Sequence, residues 1–318
     1  MRKVLSRGTF LAVVVMIGVA ASGCAKVNML RAKAAFKDAN AQYSAMNYKA
    51  AADKYEQVVT LDPTLVDAYF FLGNSYDNLY NAAKKGDPTN DGYLTKAIAN
   101  YKKSSEVEHP QSPTLKKLSL QYLVAAFRPD KADDPAQAMV IIQQMITIDA
   151  KDVTNYYQLA RLFEDAGDVD MAEATLLKAK DVNPNDGTVY AQLAAFYGRQ
   201  GDFDKTIAAL NQRVAVEPTN PEAHHTLATY YWDEVYKNLK LKDADKKKYI
   251  QAGIEASDKA IALKEDYFEA ITYKNLLLRL EALLEKDPAR QQALLKEADQ
   301  LRARAQELQK KQAATKSE

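Results

Sequence analysis

Between Asp152 and Asn220 the chain holds two 34-residue units placed back to back without a gap. Tyr156, Leu159, Ala160, Phe163, Gly167, Asp168, Ala172 and Ala179 set the pattern in the first unit. Tyr190, Leu193, Ala194, Tyr197, Gly201, Asp202 and Phe203 answer it in the second, and Pro184 aligns with Pro218. A fixed period of this length, with large apolar, small and aromatic residues on one helix, confines a chain to stacked helix–turn–helix pairs. The composition agrees: 47% of residues are hydrophobic, with only 11 Gly and 10 Pro in 318, as a nearly all-helical chain requires.

These units resemble the tetratricopeptide-repeat (TPR) family. The resemblance implies an all-α, right-handed α-solenoid of about seven helix–turn–helix repeats over residues 29–312, and a scaffold that holds other proteins. The repeats fall near 29–63, 64–110, 111–150, 153–186, 187–220, 221–265 and 266–312, with a disordered tail at 313–318. Tyr48 opens the second helix of repeat one, which stops at Leu61-Asp62-Pro63 because proline disfavours helix in the residue before it.

Repeats two and six break the period in the same way. From Tyr76 to Ala97, and from Tyr231 to Ala252, there are 21 residues where the regular units have nine. The apolar spacing continues through Tyr80 and Ala83 in one insert and Val235 and Leu239 in the other, which predicts a first helix lengthened by a turn or two. Asp134-Pro135 and Asp287-Pro288 each offer an N-cap followed by proline at the first helical position. The final helix keeps an apolar seam (Leu294, Ala298, Leu301, Ala305, Leu308), as expected of a cap on the last repeat or of a short coiled coil with a partner or a second copy.

The N-terminus carries a second message. Arg2, Lys3 and Arg7 precede an apolar run from Phe10 to Ala21, followed by Ala21-Ser22-Gly23-Cys24. That is an export signal, too short to span a bilayer comfortably. Its end resembles the lipobox of bacterial lipoproteins, which implies a signal peptide at 1–23, lipidation of Cys24, a lipid-anchored linker at 24–28 and attachment to a membrane through acyl chains. Ala25 after the cysteine implies the outer membrane, with the chain facing the periplasm. Loss of residues 1–23 removes three basic residues and no acid from a chain with 43 basic and 42 acidic. A near-neutral balance argues against a nucleic-acid partner.

Catalytic and metal-ligating patterns are missing from the sequence. No Cys/His cluster has zinc-ligand spacing. His224 and His225 are adjacent, so one ring packs at the large apolar position and the other faces solvent. Asp87-Pro88-Thr89-Asn90-Asp91-Gly92 imitates the start of a calcium loop, but position twelve is Ile98 instead of a bidentate glutamate. It reads as a polar loop with a bend at Gly92. The expectation is a protein that is not an enzyme and carries no cofactor or metal.

In the resembled family, fixed positions of each first helix line the concave face. Carried onto this chain they select Phe70 and Asn74 in repeat two, Tyr157, Arg161 and Glu164 in repeat four, Arg199 in repeat five, and His225, Thr229 and Trp232 in repeat six. The aromatic residues around the small floor of repeat five (Ala191, Ala195, Gly198) suit an envelope protein or peptide segment. This implies a bacterial envelope scaffold that assists assembly of an outer-membrane or cell-wall complex. A periplasmic carrier or sensor of a small molecule or peptide would use the same trough.

Overall fold

The computed structural model describes residues 7–315, with side chains from 26 to 314. The described residues form fourteen α-helices and one 3-10 turn joined by short connections, and none of them forms a strand. Two compact units divide the chain, Met1–Asn155 and Tyr156–Glu318.

The first unit contains α1 (Arg7–Ser44), α2 (Tyr48–Leu61), α3 (Asp67–Leu79), α4 (Pro88–Ser105), α5 (Thr114–Ala126) and α6 (Pro135–Ile148). Consecutive helices pack in pairs through small residues: Ala39, Ala51, Ala52, Ala68 and Ala97 are all fully buried. With only methyl groups between backbones, helices approach closely and large rings interlock in the gaps between pairs. Tyr55 and Tyr101 are likewise fully buried. Tyr55 stacks on Phe71 at 5.9 Å, and Tyr101 meets Phe70 at 6.0 Å and Tyr122 at 5.3 Å. Their hydroxyls are satisfied where they emerge: Tyr55 donates to Asn40 (2.6 Å), and Asn74 donates to Tyr101 (3.2 Å).

The second unit begins within α7 (Val153–Asp165) and continues through α8 (Val169–Val182), α9 (Gly187–Gln200), α10 (Phe203–Val216), α11 (Pro221–Lys237), α12 (Asp243–Leu263), α13 (Phe268–Leu284) and α14 (Pro288–Thr315). The 34-residue period is visible here bond by bond. Gly167 and Gly201 turn at φ 80° and 75°, a conformation glycine adopts at little cost. One residue later Asp168 and Asp202 cap α8 and α10, accepting from the N–H groups of Met171 (3.2 Å) and Lys205 (3.0 Å). Tyr190 donates to the carbonyl of Pro184 (2.8 Å), and His224 Nε2 meets the carbonyl of Pro218 at 3.0 Å. At the far end α14 covers α13, burying Ala298 and Ala305.

A three-residue clamp recurs in both units. In the second, Tyr197 and Lys205 both donate to Glu173 Oε1 at 2.8 Å, with the lysine 5.0 Å above the tyrosine ring. In the first, Tyr76 and Lys96 both donate to Glu56, and Lys96 stands 4.7 Å above the Tyr76 ring. The insert of repeat two therefore leaves the second helix in register.

Where that insert goes differs from expectation. Helix α3 stops at Leu79, and the extra residues form the 3-10 turn Ala82–Lys84 and a lengthened α4. The cause is Asp87-Pro88: Asp87 caps α4 by accepting from Asn90 N–H (2.8 Å), with proline in the first turn. Asn90 is buried, donates to the carbonyls of Asn81 and Lys84 (both 3.1 Å) and accepts from Asn81 N–H (2.8 Å). The stretch that imitates a calcium loop is thus a helix start, and Gly92 lies inside α4 rather than at a bend. In repeat six both helices lengthen, α11 to 17 residues and α12 to 21. Helix α1 likewise runs unbroken from Arg7, where the sequence suggested a start near Met29 after a linker.

Gly73 marks the closest approach in the first unit. A Cβ there would lie 2.8 Å from the Tyr101 ring and 3.2 Å from the Ala97 carbonyl oxygen. Helix propensity alone favours Gly73→Ala by about 0.5–1 kcal/mol, whereas overpacking costs about 1–3 kcal/mol. Because Tyr101 is fully buried, the clash decides. Urea unfolding of Gly73→Ala should show a lower midpoint at unchanged slope, and a raised midpoint would mean that α3 and α4 do not meet this closely.

Candidate functional site

In the second unit the first helices of successive repeats carry the residues selected from the sequence. Arg161, Glu164 and Arg199 are brought together. Arg199 Nε and Nη2 grip Glu164 with two bonds of 2.8 Å, and Gln200 adds a third at 3.2 Å. Arg161 reaches Glu164 at 3.5 Å and Asp165 at 3.1 Å. The Arg199 guanidinium holds the Glu164 carboxyl below the usual range. This fork braces α7 against α9 and spends their charge on each other.

Nearby, Tyr157 is half-buried and its hydroxyl has no hydrogen-bond partner. Burial, and secondarily the charge of Asp186, pushes its pKa up to about 12.

A second group forms on α11 and α13. Trp232 stacks on Tyr236 at 4.8 Å and 11°, and its edge meets Tyr273 at 5.6 Å. The His225 ring sits between Tyr267 (5.1 Å) and Tyr273 (5.3 Å). Its Nδ1 is buried without a partner. Burial lowers its pKa, against the pull of Glu269 and Glu222. Thr229 turns its hydroxyl onto the His225 carbonyl (3.0 Å). Unlike the rings of the first unit, Tyr236 remains 59% exposed, and Leu239, just beyond the helix, is 86% exposed. On the other side of α11 a concavity of about 600 Å³ opens among Gly198, Phe203, Tyr230, Asp233, Lys237 and Leu239. Gly198 makes room there, because a Cβ would stand 3.2 Å from the Tyr230 ring.

With this geometry in view, the comparisons are specific about fold. A tetratricopeptide-repeat family model matches residues 131–195. The chain is similar in structure to the C-terminal part of a TPR repeat-containing protein from Cytophaga hutchinsonii, with a TM-score of 0.54 and 15% identity over 84% of this chain and 95% of that one. The fold is an all-α tetratricopeptide-repeat solenoid. Weaker similarities reach MamA from Desulfovibrio magneticus RS-1 (TM-score 0.42, 18% identity, 62% of this chain and 96% of that one). They also reach YrrB, a TPR protein with an unusual peptide-binding site (TM-score 0.39, 16% identity, 60% and 89%). No curated protein matches the chain in sequence.

Within the tetratricopeptide-repeat fold the selected residues separate into three kinds. Phe70 and Asn74 are core residues of the first unit, 6% and 5% exposed. Phe70 packs on Phe71, Tyr101 and Tyr122, while Asn74 is bonded to Tyr43 (2.7 Å) and Tyr101. Arg161, Glu164 and Arg199 form the brace. Trp232 and His225 belong to the aromatic group, so His225 is half-buried between rings instead of turned freely to solvent. Cys24 has its side chain outside the described residues.

Sequence reasoning missed Tyr236, Tyr267 and Tyr273. Tyr236 was within reach, one turn beyond Trp232 on a helix known to be lengthened; the other two lie in repeat seven, where no inner-face positions were assigned.

One buried cluster in the first unit has the outline of a catalytic relay. Asp67 faces His109 Nδ1 (2.8 Å), and His109 Nε2 faces Ser104 Oγ (3.1 Å) and the Ser104 carbonyl (2.9 Å). Ser104 is fully buried and also accepts from Ser119 (2.7 Å). With no open face at the hydroxyl, the cluster acts as a staple between the α4–α5 loop and the start of α3. Among the described residues no group of three or more His, Cys, Asp or Glu could hold a metal ion.

His225 gives a pH dependence with a definite sign. A histidine with a lowered folded pKa contributes stability that is fully present above its unfolded value, about 6.5, and is lost as pH falls through the folded value. Wild type should therefore lose stability as pH falls below about 6.5, and His225→Phe should lose less. Equal losses in urea titrations would show that His225 is not held neutral by burial.

Proposed function

We propose that this chain is a membrane-anchored scaffold of the bacterial envelope that holds another protein on the aromatic surface of α11 and α13. The observation that carries the reading is the contrast between rings. In the first unit Tyr55, Phe70 and Tyr101 are sealed in the core, whereas Trp232, stacked on Tyr236 and edge-on to Tyr273, forms a group still open at Tyr236. Aromatic residues grouped at a surface are the usual anchors of protein interfaces, because a large rigid ring buries area at low entropic cost. The Arg161–Glu164–Arg199 brace serves this surface indirectly, by holding the neighbouring first helices in place.

The signal-like N-terminus and the lipobox resemblance at Cys24 support attachment by acyl chains, outer-membrane placement and a periplasmic orientation. Assistance in assembling an outer-membrane or cell-wall complex is the role this arrangement suits. No step in this reading requires bond chemistry: the stacked helices present a fixed surface and the lipid sets where it is presented. The 600 Å³ concavity beside α11 favours a second reading, a carrier or sensor of a small molecule or peptide, since ligand sites fall in this size range.

A photo-crosslinking residue at position 236 should capture a defined envelope protein in living cells. Capture should disappear in Trp232→Ala, while a crosslinker at the exposed position Thr95 captures nothing comparable. The uncrosslinked chain should remain in the membrane fraction with Cys24 intact and become soluble in Cys24→Ala. Capture unaffected by Trp232→Ala would remove the aromatic surface from the account, and an unchanged distribution of Cys24→Ala would remove the anchor.

A further inference from the structure

The start of α1, just after the proposed acylation site, has a face that the packed core does not use. Ala32, Ala35 and Ala39 form the buried side of this segment. At 100° per residue the opposite side carries Lys26, Leu30, Lys33 and Lys37, with Val27, Met29 and Arg31 at its edges. Leu30 is 64% exposed, Val27 49% and Met29 40%. Lys26, Arg31, Lys33 and Lys37 are exposed as well, and Asp38 is the one acid between residues 26 and 38. None of the four cations joins an ion pair among the described residues.

We propose that this face of α1 lies against an anionic bilayer surface, the leucine, valine and methionine entering the headgroup boundary while the lysines and arginine meet lipid phosphates. Three observations select a lipid surface over a protein. The apolar side chains are aliphatic or thioether instead of flat rings, and they are interleaved with cations instead of being ringed by mixed charge. The patch follows within a few residues of Cys24, so acyl chains at that position would bring it to the headgroups without further ordering of the chain. A short apolar strip with a polybasic component is also the combination that strengthens attachment by a lipid chain. The consequence is orientational: a lipid on a free tether leaves the repeats tumbling, whereas a docked α1 fixes how the first repeat stands on the membrane.

The inference rests on the proposed anchoring at Cys24 for its setting, and the experiment separates the two. The acylated full chain carrying Leu30→Cys, whose new thiol would be the only one left free, is labelled with an environment-sensitive fluorophore. It is mixed with phosphatidylcholine vesicles, with or without about a quarter phosphatidylglycerol, containing a headgroup-level quencher. The protein should sediment with both vesicle types, the label should be quenched on anionic vesicles, and about tenfold less quenching should remain in Lys26→Glu/Lys33→Glu/Lys37→Glu or at high salt. A label at Leu239→Cys, beside the lysine-rich stretch 240–248, should stay unquenched. Sedimentation with an unquenched label at position 30 overturns the proposal and leaves the anchor standing. Binding to anionic vesicles alone, with quenching, supports the proposal and shows that the acyl chains do not by themselves hold the protein to a bilayer. Binding to neither overturns both, and quenching at position 239 instead of 30 overturns the proposal in favour of the other basic patch.

Discussion

Everything in this structure depends on the close approach of helices across alanine and glycine. Ala51, Ala52, Ala68 and Ala97 have no exposed surface, and Gly73 lies against the Tyr101 ring with no room for a methyl group. That spacing is tight enough for one tyrosine to fill the gap between helix pairs, and narrow enough that its hydroxyl emerges beside polar groups able to satisfy it. Small residues set the distance, rings fill what remains, and the pairing of Tyr, Glu and Lys at the rim fixes the height at which the next pair must arrive. The clamp at Glu56, Tyr76 and Lys96 and its counterpart at Glu173, Tyr197 and Lys205 show the same solution in units whose loops differ in length.

The same economy explains which residues are left for function. Charges on the inner helices of the second unit are largely consumed: Arg199 and Arg161 by Glu164, and Lys237 by Asp233 (2.7 Å). Exposed pairs of this kind add little stability but leave few unpaired charges for a partner. What remains uncommitted is aromatic on α11 and α13, and cationic with aliphatic side chains on α1. One is suited to a protein surface and the other to lipid, and they lie in different units.

The period, the first-helix core positions and the caps at Asp134 and Asp287 were legible because each is written locally. A proline after an aspartate, or a glycine at a positive φ, acts within a few residues of itself. Asp87-Pro88 carried the same signal as Asp134-Pro135, yet its resemblance to a calcium loop concealed it. Phe70 and Asn74 occupy positions that line the trough in the resembled family, but Tyr101 and Tyr122 close over them, and those rings are 27 or more residues distant. The His109–Asp67 contact spans 42 residues. Burial decided by such partners has no local signature. Trp232 was found because it is a ring at an inner position, whereas Tyr273 required knowing which helix stands beside it.

If the alanine-spaced framework is the foundation, the insert of repeat two is an addition to it and removable. Its bonds are largely internal, running among Asn81, Lys84, Asp87 and Asn90. Replacing Tyr80 and Asn81 by glycine and aspartate and deleting residues 82–93 would restore the regular distance between Tyr76 and Lys96. Hydrogen exchange on this full-length variant is the most direct test. The account predicts that amides around Tyr55, Leu72 and Tyr101 keep their protection. Loss of protection across α2 to α4 would contradict it, and would mean that the insert holds the repeat in phase.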